Sequence, residues 1–455
     1  MSNGAQKSMK VCVIGAGMGG LSSALALAKN GFTDIHVYET ASNLGFVGAG
    51  IQLAPNMSRI LDRLGVWKGI EKEAVLCKET KGSTDNELAH VELDNIKTLY
   101  GYPHMVGHRA SLAGGLYEGC KKEPSIHFHF STSIKDITSW SPNPTFTAVP
   151  RNGEPYEVTC DILLAADGVK SYTRQQMLKL LGHKADVQDT DQAAYRILLR
   201  REEIQHDAEL MELIENERVT RWIGEKRHII AYPISNNTIY NISTTQPDTN
   251  FAAAPSETYT TKGSKPAMLG VFSDFCPKIQ RMLNLVPDGE VCEWKLRVHE
   301  PLTTWIHGHV ALVGDACHPT LPHLAQGAAQ AIEDSAVLGV LLSKVKNGEV
   351  NGHANGGGKG KTGVEEMLKL YEEVRKERAE MLVELAAASA RELHLGSGKA
   401  KEERDRVFEE LKKKGGKARV PDKWADADVQ KTVYGVDIMG VAESEYKKRF
   451  GGSKI

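Results

Sequence analysis

The sequence predicts an α/β protein in which a parallel sheet opens with a βαβ unit, a second sheet is inserted, and a helical part follows. Three observations predict it. A glycine turn, Gly15-Ala16-Gly17-Met18-Gly19-Gly20, stands between a β-branched run and a helix-forming run near the start. A second glycine turn, Gly314-Asp315-Ala316-Cys317-His318-Pro319, follows another apolar run far downstream. The stretch between them carries many short, β-branched segments separated by turn residues, the pattern of a mostly antiparallel sheet.

Lys10–Ile14 reads Lys-Val-Cys-Val-Ile, a nearly continuous apolar strand suited to burial on both faces of a parallel sheet. Leu21–Ala28 is helix-forming, and Ile35–Glu39 is the next strand, which completes a βαβ unit. Thr145–Val149 and Tyr156–Thr159 are two short strands joined by the polar turn Arg151-Asn152-Gly153-Glu154-Pro155. Ile162–Ala166 is a buried strand that ends at Asp167-Gly168. Ala193–Leu199, Arg227–Ile234 and Thr238–Thr244 are strands, the last two joined at Ser235-Asn236-Asn237 as a hairpin. His309–Val313 returns to the first sheet, and Gln326–Val345 is an Ala/Leu-rich helix. Lys346–Gly363 is glycine-rich and reads as a flexible loop. Val364–Leu395 has apolar residues at helical spacing. No internal repeat occurs.

Composition narrows the function classes. The chain has 455 residues, 41% apolar and 25% charged, enough for two or three domains. Its formal net charge is −2, and no like-charge block forms a nucleic-acid arm, so small-molecule chemistry is expected. Seven scattered cysteines without a C-x-x-C spacing fit a reducing interior. The start lacks a secretory apolar core, and no run reaches the ~20 apolar residues of a membrane span. The expected compartment is the cytoplasm. Ser453-Lys454-Ile455 differs by one residue from a peroxisomal Ser-Lys-Leu address, and a solvated tail is the plainer reading.

The glycine turns carry the chemistry. Gly15 permits the tight exit from the strand, Gly17 lets backbone approach a pyrophosphate, and Gly20 lets the helix pack on the sheet. Glu39 ends the next strand and suits a carboxylate that accepts from ribose hydroxyls. This set alone does not separate FAD from NAD. Gly314-Asp315 separates them, because Asp315 follows a buried strand and can reach the ribitol of a flavin. The helix opening near Gly327 aims its positive end, and the Gly327 and Ala328 amides, at the pyrimidine edge where reduced flavin is anionic. The plainer readings are a capping aspartate at Asp315 and a solvated helix face at Glu333-Asp334.

These residues resemble those of the single-component FAD-dependent aromatic hydroxylases, the salicylate hydroxylase-like flavin monooxygenases. The resemblance rests on Gly15–Gly20 with Glu39, Gly48-Ala49-Gly50-Ile51-Gln52, Arg109, Asp167-Gly168 with Ser171 and Arg174, and Gly314–Pro319 with Pro322 and Gln326-Gly327. It implies a Rossmann-type FAD-binding domain, discontinuous over 8–187 and 299–345. It also implies a sheet-floored substrate domain over 188–298 and a helical C-terminal part over 364–455. FAD-binding residues would be Gly15, Gly17, Gly20, Glu39, Gly50, Gln52, Arg109, Asp167, Asp315, Gly327 and Ala328. Of these, Glu39 and Arg109 would hold the adenosine part and Asp315 the ribitol, with Asp167-Gly168 serving both FAD and NAD(P)H. The implied reaction is hydroxylation of a small phenol or phenolic acid with NAD(P)H and O₂, through a flavin C4a-hydroperoxide. Loss of CO₂ accompanies it if the attacked carbon bears a carboxylate. No second dinucleotide fingerprint exists, so NAD(P)H rests on the resemblance alone. An FAD oxidoreductase that does not use O₂ as oxygen donor, or a non-catalytic FAD-binding protein, remains the alternative.

On the substrate side, His228, Ile230 and Tyr232 alternate and share a strand face. His228 suits a base for a phenol proton and Tyr232 a hydrogen-bond donor; a packed strand histidine is the plainer reading. Arg196 suits a carboxylate ligand or a group that moves with the flavin, and a surface cation is the plainer reading. Tyr195 is a pocket or core tyrosine. Pro322 falls between Asp315 and the helix, where the resemblance puts the flavin's reactive face, and can offer only its carbonyl. His127 and His129 share a strand face without a third ligand at metal spacing, so no metal is expected. Gly360-Lys361-Thr362 lacks the preceding strand and the first glycine of a phosphate loop.

Overall fold

The computed structural model describes residues 8–44, 49–76, 79–83, 87–185, 187–249, 260–348, 363–414 and 426–451. Gly48, almost all of the glycine-rich loop after Lys346, Gly360-Lys361-Thr362 and the Ser453-Lys454-Ile455 end lie outside them.

The first sheet has six strands in the order Ile306–His307, Val310–Leu312, Ile162–Ala165, Lys10–Ile14, Asp34–Tyr38, Ile126–His129. All pairings are parallel except the edge hairpin of Ile306–His307 with Val310–Leu312. The register aligns Ile14 with Ala165, and Ala165 with Leu312. Three neighbouring strands therefore end level with one another, and each is followed by one of the motif turns. In an open parallel sheet the strand C-termini are where ligands bind.

The helices Met18–Lys29 and Gly327–Lys346 pack together on this sheet. Ser22 and Ser23 hydroxyls lie 2.7 and 2.9 Å from the Ser335 hydroxyl, and Gly339 lets the backbones approach at Ala26. Ile332, Val337, Leu338, Leu341 and Leu342 are fully buried. Their burial stabilises the second helix by roughly 10 kcal/mol, an upper estimate from ~1.5–3 kcal/mol per side chain.

The second sheet has eight strands: Thr260–Lys262, Cys292–His299, Val187–Arg200, Ile239–Pro247, Arg227–Ile234, Arg218–Gly224, Glu79–Ser83 and Glu87–Glu92. It is antiparallel apart from the pairing of Arg218–Gly224 with Glu79–Ser83. The expected limits of 188–298 therefore need a correction, because two strands from inside 8–187 extend this sheet. The hairpin turn at Ser235, Asn236 and Asn237 has φ of 51°, 53° and 60°, a left-handed run that asparagine tolerates better than most residues.

A three-stranded sheet of Gly50–Leu53, Met105–His108 and Val75–Leu76 packs against the second sheet. Its Gly50 N–H donates to Asn241 Oδ1 at 2.6 Å. A Cβ on Gly50 would stand 2.5 Å from Tyr232 and 2.6 Å from Asn241, so glycine is what lets the sheets meet there. Helix Gly363–Leu393 crosses behind the Gly327–Lys346 helix, and Lys399–Lys414, Ala427–Tyr434 and Ile438–Phe450 complete the helical part. Cys12, Cys120, Cys160, Cys276, Cys292 and Cys317 are free thiols.

Candidate active site

A cleft of 350 Å³ opens where the three strand ends meet the second sheet. Gly17, Gly168, Asp315, Gly327 and Ala328 line its first-sheet side; Arg196, Ile230, Tyr232 and Ser243 line the other; Gly50, Gln52, Arg109 and Pro322 lie between. Two surface grooves are larger, at 540 and 560 Å³, but no strand-end motif residue lines either. The convergence of loops, and not size, marks the site.

The glycine turn is built as its spacing requires. Gly15 has φ +89°, and a Cβ there would sit 2.5 Å from the Ala166 carbonyl oxygen; one on Gly20 would sit 1.8 Å from the Gly15 carbonyl oxygen. Around Gly17 there is open space where a phosphate can approach. Glu39 accepts from the Ala16 and Ala41 N–H groups, both at 2.8 Å, which fixes its carboxylate beside the turn. Asp167 accepts from Thr173 N–H at 3.1 Å, while its Oδ1 is buried with no partner. Arg174, 1% exposed, donates to the carbonyls of Val169 (2.7 Å) and Ala316 (3.2 Å) and so bolts the second motif turn to the third.

Asp315 borders the cleft solvent, yet protein surrounds it on its other sides. That desolvation pushes its carboxyl above the usual carboxylate range, with His318 and Arg109 opposing. The helix Gly327–Lys346 begins at the cleft with no side-chain cap, so its first N–H groups remain for a ligand. An open phosphate approach, an orphaned acceptor at Asp167 and an uncapped helix start fit a bound flavin dinucleotide.

Glu333 and Asp334 are not a solvated face. Both are fully buried and tied to helix Gly363–Leu393: Arg375 reaches Glu333 at 2.6 Å and Asp334 at 2.8 Å, and Arg378 reaches Glu333 at 2.8 Å. Asp334 also accepts from Gly314 N–H at 2.9 Å and lies 2.6 Å from His318 Nε2. Asn56 donates to Glu333 (2.8 Å) and to Gln326 (3.0 Å). The turn that carries Asp315 is thus held from behind by a charge network. The Glu333 and Asp334 carboxyls lie below their ordinary values, where the pull of Arg375, Arg378 and His318 outweighs a large opposing desolvation.

A family model described as an FAD binding domain matches residues 8–386. The chain belongs to the FAD-dependent monooxygenases. The enzyme is 30% identical to the FAD-dependent monooxygenase ntnJ of Nectria sp over 88% of each chain. It is 32% identical to 3-hydroxybenzoate 6-hydroxylase 1 of Aquipseudomonas alcaligenes, over 73% of this chain and 80% of that one. A salicylate hydroxylase substrate complex shares its fold, with a TM-score of 0.73, 22% identity and coverage of 96% and 98%. FAD is therefore the cofactor of the enzyme, and the cleft is where its motif turns converge.

The structure brings Arg196, Tyr232 and Pro322 together in the cleft of the enzyme and leaves His228 out. Ile230 and Tyr232 reach the cleft, but His228, one step further along the same face, does not line it. Its Nδ1 instead lies 2.6 Å from His394 Nε2, and its ring packs 5.5 Å from that of His323. Burial pushes the His228 imidazole well below 6.5. A two-residue step along one face of a strand moves a side chain ~7 Å, a distance that sequence periodicity does not measure against the cleft edge. The Pro322 carbonyl already accepts from Ala325 N–H at 3.0 Å, within its own turn. Tyr195 faces the opposite side of the sheet, fully buried in its core. His127 is packed 5.2 Å from His36, whose Nδ1 lies 2.9 Å from His129 Nε2.

Sequence reasoning missed Asn241, Ser243 and Arg375. Alternation within Ile239–Pro247 could have found the first two; nothing local marks the third.

Proposed function

We propose that this enzyme hydroxylates a small phenol bearing a carboxylate or similar anionic group, with NAD(P)H as reductant and O₂ as oxygen source. Arg196 carries the reading. Its guanidinium stands 5.7 Å from the Trp294 ring, faces the cleft, and pairs with no carboxylate among the described residues. Burial and the neighbouring Arg109 both push its pKa below the ordinary value. An anion bound there relieves the desolvation and the like-charge repulsion together, and two parallel N–H donors select a planar acid.

Bound FAD supplies the redox chemistry, taking electrons from the nicotinamide and carrying oxygen to the ring. The chain's residues bind, orient and dehydrate. The Gly15–Gly17 turn and the start of helix Met18–Lys29 take the pyrophosphate, Glu39 and Arg109 the adenosine part, and Asp315 the ribitol. The Gly327 and Ala328 amides favour negative charge at the edge they face. Ile230, Leu321 and Pro322 give an apolar wall that keeps water from the reacting centre. The Tyr232 hydroxyl is the group for orienting a phenol oxygen, and Arg196 fixes the other end of the ring. His228 has no direct part in this scheme.

The reading is supported further by relatives named 3-hydroxybenzoate 6-hydroxylase and 6-hydroxynicotinate 3-monooxygenase, whose substrates are hydroxylated aromatic acids. The test is a panel of hydroxybenzoates and hydroxypyridine carboxylates against the matching uncharged phenols, with nicotinamide oxidation and product mass followed together. Acids should be turned over with kcat/KM at least ~10-fold above their uncharged partners, the worth of one charge-assisted hydrogen bond. Equal turnover of neutral phenols would remove the anion-binding role.

A further inference from the structure

Beside the cleft, three imidazoles from three separate elements converge. His228 comes from strand Arg227–Ile234, His323 from the turn Pro322–Leu324, and His394 from the residue after helix Gly363–Leu393. One nitrogen from each lies within 4.8 Å of the others. Ring centroids are separated by 4.9 Å (His228–His394), 5.5 Å (His228–His323) and 5.5 Å (His323–His394). Three imidazoles on a tetrahedral ion at ~2.0–2.1 Å from each nitrogen have centroids about 5.2 Å and nitrogens about 3.4 Å apart, so the ring triangle has that size and the nitrogens, within 4.8 Å of one another, reach it by ring rotation.

His323 is the telling member. It is 3% exposed, and neither ring nitrogen has a hydrogen-bond partner. Leaving both polar atoms of a buried ring unmatched is costly, and an ion on one nitrogen would recover part of that cost. We propose that His228, His323 and His394 form a binding site for one divalent transition ion of the zinc class.

Three further features fit. Burial holds all three rings below their ordinary pKa, so they are neutral, the form that ligates. An ion has a way in, since half-buried His394 lines the 560 Å³ groove with Lys226 and Leu321. The negative end of helix Gly363–Leu393 falls at His394. Against these, the Arg221 charge acts on all three rings and weakens the site relative to one without it. The ion would displace the hydrogen bond between His228 and His394 and leave a fourth position for water.

The consequence is coupling to the active site. His323 follows Pro322, which lines the cleft, and Leu321 lines both the cleft and the groove. An ion on His323 would fix the turn that walls the reacting centre, so metal and aromatic substrate should affect each other's affinity.

The test is isothermal titration of the FAD-loaded enzyme with Zn²⁺, followed by zinc content after gel filtration. The expected result is one Zn²⁺ per chain, with affinity at least tenfold lower in both His323→Ala and His394→Gln. Flavin absorbance confirms that each variant is folded. His129→Ala removes the half-buried pair with His36 and should leave the affinity unchanged. Absence of a stoichiometric Zn²⁺ overturns the proposal. So does binding that survives both cluster variants, or that is lost in His129→Ala.

Discussion

Arg375→Met is the most informative single perturbation of the framework. It removes the guanidinium that bridges Glu333 and Asp334 while keeping most of the side-chain volume. Breaking one partner out of a buried ion pair costs ~3–5 kcal/mol because the remaining charge is stranded. Here Glu333 keeps Arg378 and Asn56, and Asp334 keeps His318 and the Gly314 N–H, so the lower end, about 3 kcal/mol, applies. At ~2.1 cal/mol/K per residue, a chain of 455 residues unfolds with an entropy near 1 kcal/mol/K, which makes the shift about 3 °C in thermal unfolding. The pH dependence has a definite sign. Both carboxyls lie below their ordinary 4.5 and 3.8, so their contribution is present above those values and lost as pH falls through the folded-state values. The gap between wild type and variant should therefore hold at neutral pH and shrink below about pH 4.5. Adding Asp334→Asn to the variant should recover part of the loss, since Asp334 is the carboxylate left without an arginine. An Arg375→Met enzyme as stable as wild type, or a double variant that loses the sum of the two single effects, would refute the reasoning.

Arg196→Met should raise KM for aromatic acids by ~10–100-fold, from the 1.5–3 kcal/mol of a charged hydrogen bond, and leave neutral phenols unaffected; steady-state kinetics on both classes check this. Asp315→Ala should purify with less flavin and bind added FAD at least ~10-fold more weakly, measured by flavin fluorescence, because ribitol hydroxyls lose a charged acceptor. Desolvation gives His104, His299, His323 and His394 folded pKa values of about 4, 4, 3 and 4 against 6.5, so the unfolded chain binds more protons below 6.5 and stability falls as pH drops from 6.5 toward 4. Denaturant titrations across that range should show His104→Gln, which keeps an amide beside Gln52, losing less stability than wild type.

The backbone of the first sheet was legible because each of its strands is a short apolar run that ends in a residue type with a mechanical task. Gly15, Asp167 and Gly314 mark strand ends by what must follow them. The hairpin at Ser235–Asn237 was legible for the same local reason. What stayed hidden depends on partners far along the chain. Glu333-Asp334 reads as a polar helix face until Arg375, some forty residues on, is folded against it. Glu79–Ser83 and Glu87–Glu92 are too polar to signal a sheet, and only their pairing with Arg218–Gly224 makes them strands of it. His228 shows how far periodicity goes: the alternation gave its face correctly, but the end of the cleft lies between Ile230 and His228, and only packing sets that limit.

In the proposed function the convergent turns hold a flavin that delivers oxygen to an aromatic ring in the same cleft. The most direct measurement is the mass of the product formed from an accepted hydroxybenzoate under ¹⁸O₂ in ordinary water. One heavy oxygen per newly hydroxylated ring is the expected result. Product carrying oxygen from water, or nicotinamide oxidation that yields only hydrogen peroxide with every aromatic acid offered, would contradict it.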